Sequence, residues 1–249
     1  MSTESNHKPI VFAHRGASGY EHDNSFSAFD KAIEQGADGL ETDCWFIADG
    51  SIVLHHDKAI NVPGQEAPAN ISKLNLSEVK SCVFPNGETV PTIQEFFDRY
   101  KDTKAKSGKP LYFSIDLQDM KVGQALAPII EQYCLVDRVF LCGSTTTTLK
   151  KVRAASATVK LVASNIDDQI NPENLIPEGK IAQLQLIGFN VNASTFKPEM
   201  KDILTQAGLK CFIWDLHTEE LLKQYLPYRP DAIYSNYPDL ALKIRAEVL

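Results

Sequence analysis

The feature that most constrains this chain is a regular alternation of short apolar runs with amphipathic segments along nearly its whole length. The runs Ile10–Ala13, Gly39–Trp45, Ile52–His55, Leu111–Leu117, Arg138–Cys142, Lys160–Ala163, Ala182–Ile187, Leu209–Trp214 and Ala232–Tyr234 are aliphatic and rich in β-branched residues. That is the pattern of strands covered on both faces. Between them lie predicted helices at Ser25–Gln35, Thr92–Tyr100, Val122–Tyr133, Thr146–Ala155, Pro198–Gln206, Thr218–Tyr225 and Pro238–Ala246. Phe26, Phe29 and Ile33 form an i, i+3, i+7 stripe closed by Gly36, and Thr92 stands three residues before Glu95 as in a capping box. A repeated strand–helix order favours parallel strands joined by right-handed crossovers. About eight such units fit 249 residues, so the expectation is an α/β fold, a (β/α)8 TIM barrel, with residues 1–249 as one domain. The stretch from about Asp57 to Pro91 holds Pro63, Gly64, Pro68, Pro85 and Gly87 and is too long for an ordinary connection. It reads as an irregular insertion at the rim of the site.

Apolar residues at 43% and charged residues at 23% are those of a folded globular chain rather than a disordered one. The net charge of −7 repels phosphate backbones and argues against nucleic acid or an anionic membrane surface as partner. No apolar stretch approaches the ~20 residues needed to cross a bilayer. The first residues lack the basic-then-apolar pattern of a signal peptide. Five scattered cysteines without a Cys-x-x-Cys pair read as reduced thiols, so a cytoplasmic location is expected.

Chemistry enters where ionisable residues interrupt buried strands. Val11-Phe12-Ala13 runs straight into His14-Arg15-Gly16, pairing a proton-transfer group with one suited to gripping a phosphate. In Gly39-Leu40-Glu41-Thr42-Asp43 the two carboxylates are two residues apart and share a strand face. They repel one another and pay desolvation unless a cation lies between them, and a hard divalent ion suits such oxygens. Asp116, deep in Tyr112-Phe113-Ser114-Ile115-Asp116-Leu117-Gln118, is a candidate third carboxylate, or equally a cap for the turn that follows. His55 and His56 face opposite ways on a strand, so only one can join the carboxylates, and spacing does not choose. Trp214 ends another strand as a possible apolar wall for a ligand or as core packing. There is no Gly-x-x-x-x-Gly-Lys, Gly-x-Gly-x-x-Gly, His-Glu-x-x-His or Gly-x-Ser-x-Gly, which disfavours ATP, nicotinamide, zincin and serine-hydrolase chemistry.

Taken together, His14-Arg15-Gly16-Ala17-Ser18-Gly19-Tyr20, Asn24-Ser25, Gly36-Ala37-Asp38-Gly39-Leu40-Glu41-Thr42-Asp43, His56-Asp57, Pro91-Thr92-Ile93-Gln94-Glu95 and Ser235-Asn236-Tyr237-Pro238-Asp239 resemble the glycerophosphodiester phosphodiesterase family. The resemblance implies a (β/α)8 barrel with a small insertion after its second strand. It also implies hydrolysis of glycerophosphodiesters to sn-glycerol 3-phosphate and an alcohol. By the same resemblance, Glu41, Asp43 and Asp116 match the ligands of one divalent cation, Mg2+ or Ca2+. His14 and His56 match the acid/base pair, Arg15 the phosphate-binding arginine, and Trp214 a residue beside the glycerol. Asp116 stands where the family usually has Glu, Gln118, a further substrate-binding candidate, where it has Lys, and His22-Asp23-Asn24-Ser25 where it has Pro-Glu-Asn-Thr. The competing expectations are a lysophospholipase-D- or sphingomyelinase-D-like enzyme on the same barrel, and a catalytically silent barrel that binds a phosphorylated ligand.

Overall fold

A computed structural model describes residues 8–165 and 179–249. Eight strands, β1 (Ile10–Ala13), β2 (Gly39–Phe46), β6 (Tyr112–Leu117), β7 (Val139–Gly143), β8 (Lys160–Asn165), β9 (Leu186–Asn192), β10 (Lys210–Trp214) and β11 (Ala232–Ser235), pair in parallel in that order. The last returns to the first, closing the (β/α)8 barrel that the alternation led us to expect. Helices α1 (Phe26–Gln35), α3 (Ile93–Tyr100), α4 (Val122–Gln132), α5 (Thr146–Ala155), α6 (Lys180–Leu184), α7 (Pro198–Gln206), α8 (Glu219–Tyr225) and α9 (Pro238–Val248) follow the barrel strands. Their ends obey the local signals. Ser25 Oγ accepts from Ala28 N, Gly36 closes α1 at φ 95°, and Thr92 and Glu95 form both bonds of a capping box.

Two cores result. Outward-facing residues such as Val11, Leu40, Phe113, Leu141 and Ile213 pack against the helices. The lumen is filled by Phe12, Phe140, Cys142, Val162, Phe212 and Tyr234. Phe12 stacks on Tyr234 with ring centroids 5.1 Å apart and meets the edge of Phe140 at 6.0 Å. That aromatic plug explains Gly39. A Cβ there would lie 2.5 Å from the Phe12 ring and 2.7 Å from the Tyr112 carbonyl oxygen.

Three details differ from the sequence reading. Ile52–His55 is not a barrel strand: β3 (Ile52–Leu54) pairs antiparallel with the top of β2. The stretch read as irregular holds ordered elements, namely the pair β4 (Ala59–Ile60) and β5 (Ala69–Asn70), a 3-10 turn at Ile71–Lys73, and α2 (Leu76–Ser81). Side chains from this segment (Ile60, Val62, Ile71, Val79 and Phe84) bury one another against Trp45 and Val53, a satellite core large enough to order short elements. The strand expected at Ala182–Ile187 begins only at Leu186 and runs on to Asn192. Residues 180–184 are helical, and Gln185, at φ 49°, breaks the helix before the strand starts. The two asparagines in Leu186–Asn192 hide its strand character, because they face the lumen where an apolar residue is usual.

Arg245 of α9 ties the seam where the barrel closes, bonding the Pro9 carbonyl and Asp38, whose carboxylate also takes the Val11 N–H at 3.0 Å. Gly39→Ala is expected to force the Phe12 ring aside and cost about 1–3 kcal/mol, read as a lower urea midpoint with an unchanged slope.

Candidate active site

Strand alternation aims polar residues at the carboxyl-terminal mouth of the barrel. Phe12 and His14 share the inner face of β1 and its extension, Glu41 and Asp43 that of β2, Ser114 and Asp116 that of β6. The register sets Asp43 directly beside Asp116 and Glu41 beside Ser114. One oxygen from each of Glu41, Asp43 and Asp116 lies within 4.8 Å of the others. A cavity of about 180 Å3 at this point is lined by all eight residues singled out in the sequence: His14, Arg15, Glu41, Asp43, His56, Asp116, Gln118 and Trp214. His55 is not among them; it faces a separate cleft with His22, Asp57 and Phe84.

The lining also contains Ser164, Asn190 and Tyr234, which sequence reasoning passed over. Tyr234 is tied through its hydroxyl to Ser114 at 3.0 Å, a polar floor beneath the carboxylates. Asn24, wholly buried at φ 54°, donates to Asp43 Oδ2 at 3.1 Å and accepts from the Thr42 hydroxyl at 2.7 Å. Gln118 donates to Asp43 Oδ1 at 2.6 Å, so both Asp43 oxygens are held. Arg15, itself at φ 56°, gives its backbone N–H to Glu41 Oε2 at 2.7 Å and sets its guanidinium between Asp43 (3.2 Å) and Asp23 (3.4 Å). The following Gly16, at φ 79°, lies so close to Ala28 that a Cβ would come within 2.6 Å of its backbone.

The histidines are held from behind. His14 donates through Nδ1 to Asn236 Oδ1 at 2.7 Å, which turns Nε2 toward Glu41, 3.9 Å away. Its ring stacks on His217, with centroids 5.5 Å apart, and His217 in turn bonds Asp215 at 2.9 Å and accepts the Asn236 backbone N–H. His56 is braced by Asp57 at 2.8 Å, and its carbonyl accepts the Trp45 indole N–H. Asn236 and Asp57 were visible as motif members; the role of His217 carried no signal in the sequence, because His14 and Asn236, which it meets at the site, are distant from it in the chain.

Burial raises the pKa of all three carboxyls. Glu41 is pushed well above the usual range by desolvation and then by Asp43 and Asp116. Asp43 is raised by burial despite the opposing Arg15, and Asp116 reaches about 7 through burial and the neighbouring Asp43. His14 falls to about 3, because burial and then Arg15 disfavour its cation. Ionising all three carboxyls side by side is disfavoured here, and added positive charge would offset it. Asp116 Oδ1, Ser164 Oγ and Asn190 Oδ1 are buried at this cavity with no hydrogen-bond partner. Such orphaned oxygens, in an all-oxygen donor set, fit a hard divalent cation and its ligands.

Residues 14–240 match the glycerophosphoryl diester phosphodiesterase family. The chain belongs to that family. Its activity class is therefore phosphodiester hydrolysis. It is 25% identical over 250 residues to the glycerophosphodiester phosphodiesterase of Caldanaerobacter subterraneus subsp. tengcongensis, covering 95% of this chain and 98% of that protein. A lysophospholipase D of Rattus norvegicus is 26% identical over 133 residues, 49% of this chain and 40% of that one. Among solved structures, an Oleispira antarctica phosphodiesterase in complex with the product sn-glycerol-3-phosphate superposes with a TM-score of 0.76 at 20% identity. It covers 95% of this chain and 96% of that one. At that identity the likeness speaks to the fold.

A divalent cation bound by these carboxylates must displace the protons they carry. With Asp116 raised to about 7, affinity is expected to tighten as pH rises, by about tenfold per displaced proton between pH 6 and pH 8. Calorimetric titration of Ca2+ at the two pH values reads this, and a pH-independent affinity contradicts it.

Proposed function

We propose that this chain hydrolyses glycerophosphodiesters to sn-glycerol 3-phosphate and an alcohol, as one catalytic domain over residues 1–249 with residues 57–91 contributing to the rim. The observation that carries the reading is the convergence of two histidines, one arginine and three carboxylates on a single cavity at the barrel's catalytic face. Glu41, Asp43 and Asp116 would hold the cation, Mg2+ or Ca2+, which when bound supplies Lewis-acid neutralisation of phosphoryl charge.

The remaining chemistry belongs to the chain's own side chains. Arg15, pinned between Asp43 and Asp23, presents a fixed guanidinium to a phosphoryl oxygen and gains as charge grows in the transition state. The brace on each histidine's Nδ1, Asn236 for His14 and Asp57 for His56, leaves Nε2 for proton transfer. One imidazole takes the proton from the substrate's 2-hydroxyl as its oxygen bonds to phosphorus, and the other protonates the departing alcohol oxygen. The resulting 2,3-cyclic phosphate is reopened by water, which breaks the bond from O2 to phosphorus and returns both histidines to their starting states. Trp214 forms the wall for the glycerol, and Gln118, where the family usually has Lys, steadies Asp43 instead of adding positive charge.

His14→Ala and His56→Ala are expected to lower kcat by about 10²–10⁴-fold with unchanged melting temperature, while His55→Ala stays active. Release of glycerol 3-phosphate from glycerophosphocholine measures this, and full activity in His56→Ala would discard the assignment. EDTA is expected to abolish turnover and Mg2+ or Ca2+ to restore it. The lysophospholipase D relative gives a second reading, which predicts faster turnover of lysophosphatidylcholine than of glycerophosphocholine.

A further inference from the structure

A second cavity, of about 640 Å3, opens beside the catalytic one, and Gln118 lines both. The register explains the adjacency. Asp43 pairs with Asp116, so Trp45 and Gln118, each two residues further along the same faces, stand one pleat higher, about 6.6 Å above the carboxylates. The floor of the groove is apolar, made by Trp45, Phe46 and Ile47, with Met120 lying 48% exposed at its edge. Around it stand Lys58, Lys73 and Lys121, all exposed.

None of these three ammonium groups has an ion-pair partner among the described residues. Some lysines elsewhere are matched, as Lys80 is by Glu95 and Lys201 by Asp231, and what sets these three apart is that they line one groove. Among the described residues the only acidic one lining the groove is Asp119, whose carboxylate is taken up by the backbone N–H groups of Phe46 (3.1 Å), Lys121 (2.6 Å) and Val122 (2.9 Å). In a chain of net charge −7, three unmatched cations around one apolar floor form a local field of the opposite sign.

We propose that this groove receives the alcohol half of the diester and selects alcohols that carry a negative charge of their own, such as a second phosphate. The inference rests on the reading above, in which the glycerol lies against Trp214. Trp214 ends β10, four strands from β6 around a ring of eight, so it stands across the barrel from Gln118. The two ester arms diverge tetrahedrally from phosphorus, so with the glycerol arm toward Trp214 the other arm leaves on the side of Gln118. The arm that is not glycerol therefore runs over Gln118 and onto the groove, where the lysines meet its anionic group and Trp45 and Phe46 its carbon skeleton. A cationic choline would meet three like charges at the same place. Each exposed contact is screened and worth little alone, but three acting on one ligand supply a preference of about tenfold.

The test compares kcat/KM for glycerophosphoinositol phosphate and for glycerophosphoinositol, which differ only by the extra phosphate on the alcohol. The unaltered 249-residue chain is expected to favour the former about tenfold. The Lys58→Ala, Lys73→Ala, Lys121→Ala triple variant should bring the ratio near one, and so should ~0.5 M salt with the unaltered protein, which needs no variant to fold. Turnover of both diesters with a ratio that neither the substitutions nor salt changes would overturn the groove's role and leave the proposed reaction standing. Turnover of neither diester by the unaltered protein would overturn both.

Discussion

The interaction on which this molecule depends is the repulsion among three carboxyls buried side by side. Glu41, Asp43 and Asp116 are placed together by strand register alone, Asp43 beside Asp116 and Glu41 one pleat below. A pair of buried anions is costly and a trio more so. The surroundings are organised around that cost. Arg15 leans its guanidinium on Asp43 and its backbone on Glu41, while Asn24 and Gln118 each commit a donor to Asp43. Even so the carboxyls are driven toward their protonated forms, so the site as folded retains an appetite for positive charge that the protein itself does not meet. Stability is given up here to keep rigid the geometry proposed for cation binding, an instance of a local rule broken at the proposed site.

Rigidity also governs the imidazoles. His14 is fixed at one nitrogen by Asn236 and on one ring face by His217, so its remaining nitrogen cannot wander. Asn236 is neutral, and a neutral acceptor fixes the tautomer without strengthening the base as a carboxylate would. His56 has the charged brace, Asp57, and sits in a more open setting. The two groups proposed for proton transfer thus differ in burial and in the charge behind them, as two groups with opposite tasks should.

Much of this was legible in the residues. The barrel follows from the alternation, and the convergence of His14, Arg15, Glu41, Asp43 and Asp116 follows from ionisable residues placed where strands should be apolar. What was not legible has a common cause: it depends on partners distant in the chain. Leu186–Asn192 was misplaced because its lumen-facing Asn190 and Asn192 break the aliphatic pattern, and they do so because the lumen is polar at that height. Ile52–Leu54 looked like a barrel strand because an antiparallel partner on a rim is as apolar as a parallel one in a wall. The short elements of the segment before α3 carry too few residues to show periodicity, although Asn75 and Glu78 do form a capping box. His217 and Asn24 reach the site through contacts of 203 and 19 residues' separation respectively, as with His14 and Asp43; Asn24 stood in a motif that did not reveal its bond to Asp43, and no local pattern announces His217.

The seam between β1 and β2 is, with that between β10 and β11, one of the two narrowest joins in the barrel, two residue pairs only, Phe12 with Gly39 and Ala13 with Leu40. The strand that carries the proposed acid/base histidine is thereby loosely stitched to the strand that carries two of the carboxylates. Its alignment is borrowed from the far end of the chain, through Arg245 at the base and the Asn236 side chain at the top. The carboxy-terminal fifth of the molecule therefore acts as a tensioner for chemistry encoded in the first, and trimming or fusing at that end would detune the catalytic mouth without touching a residue inside it.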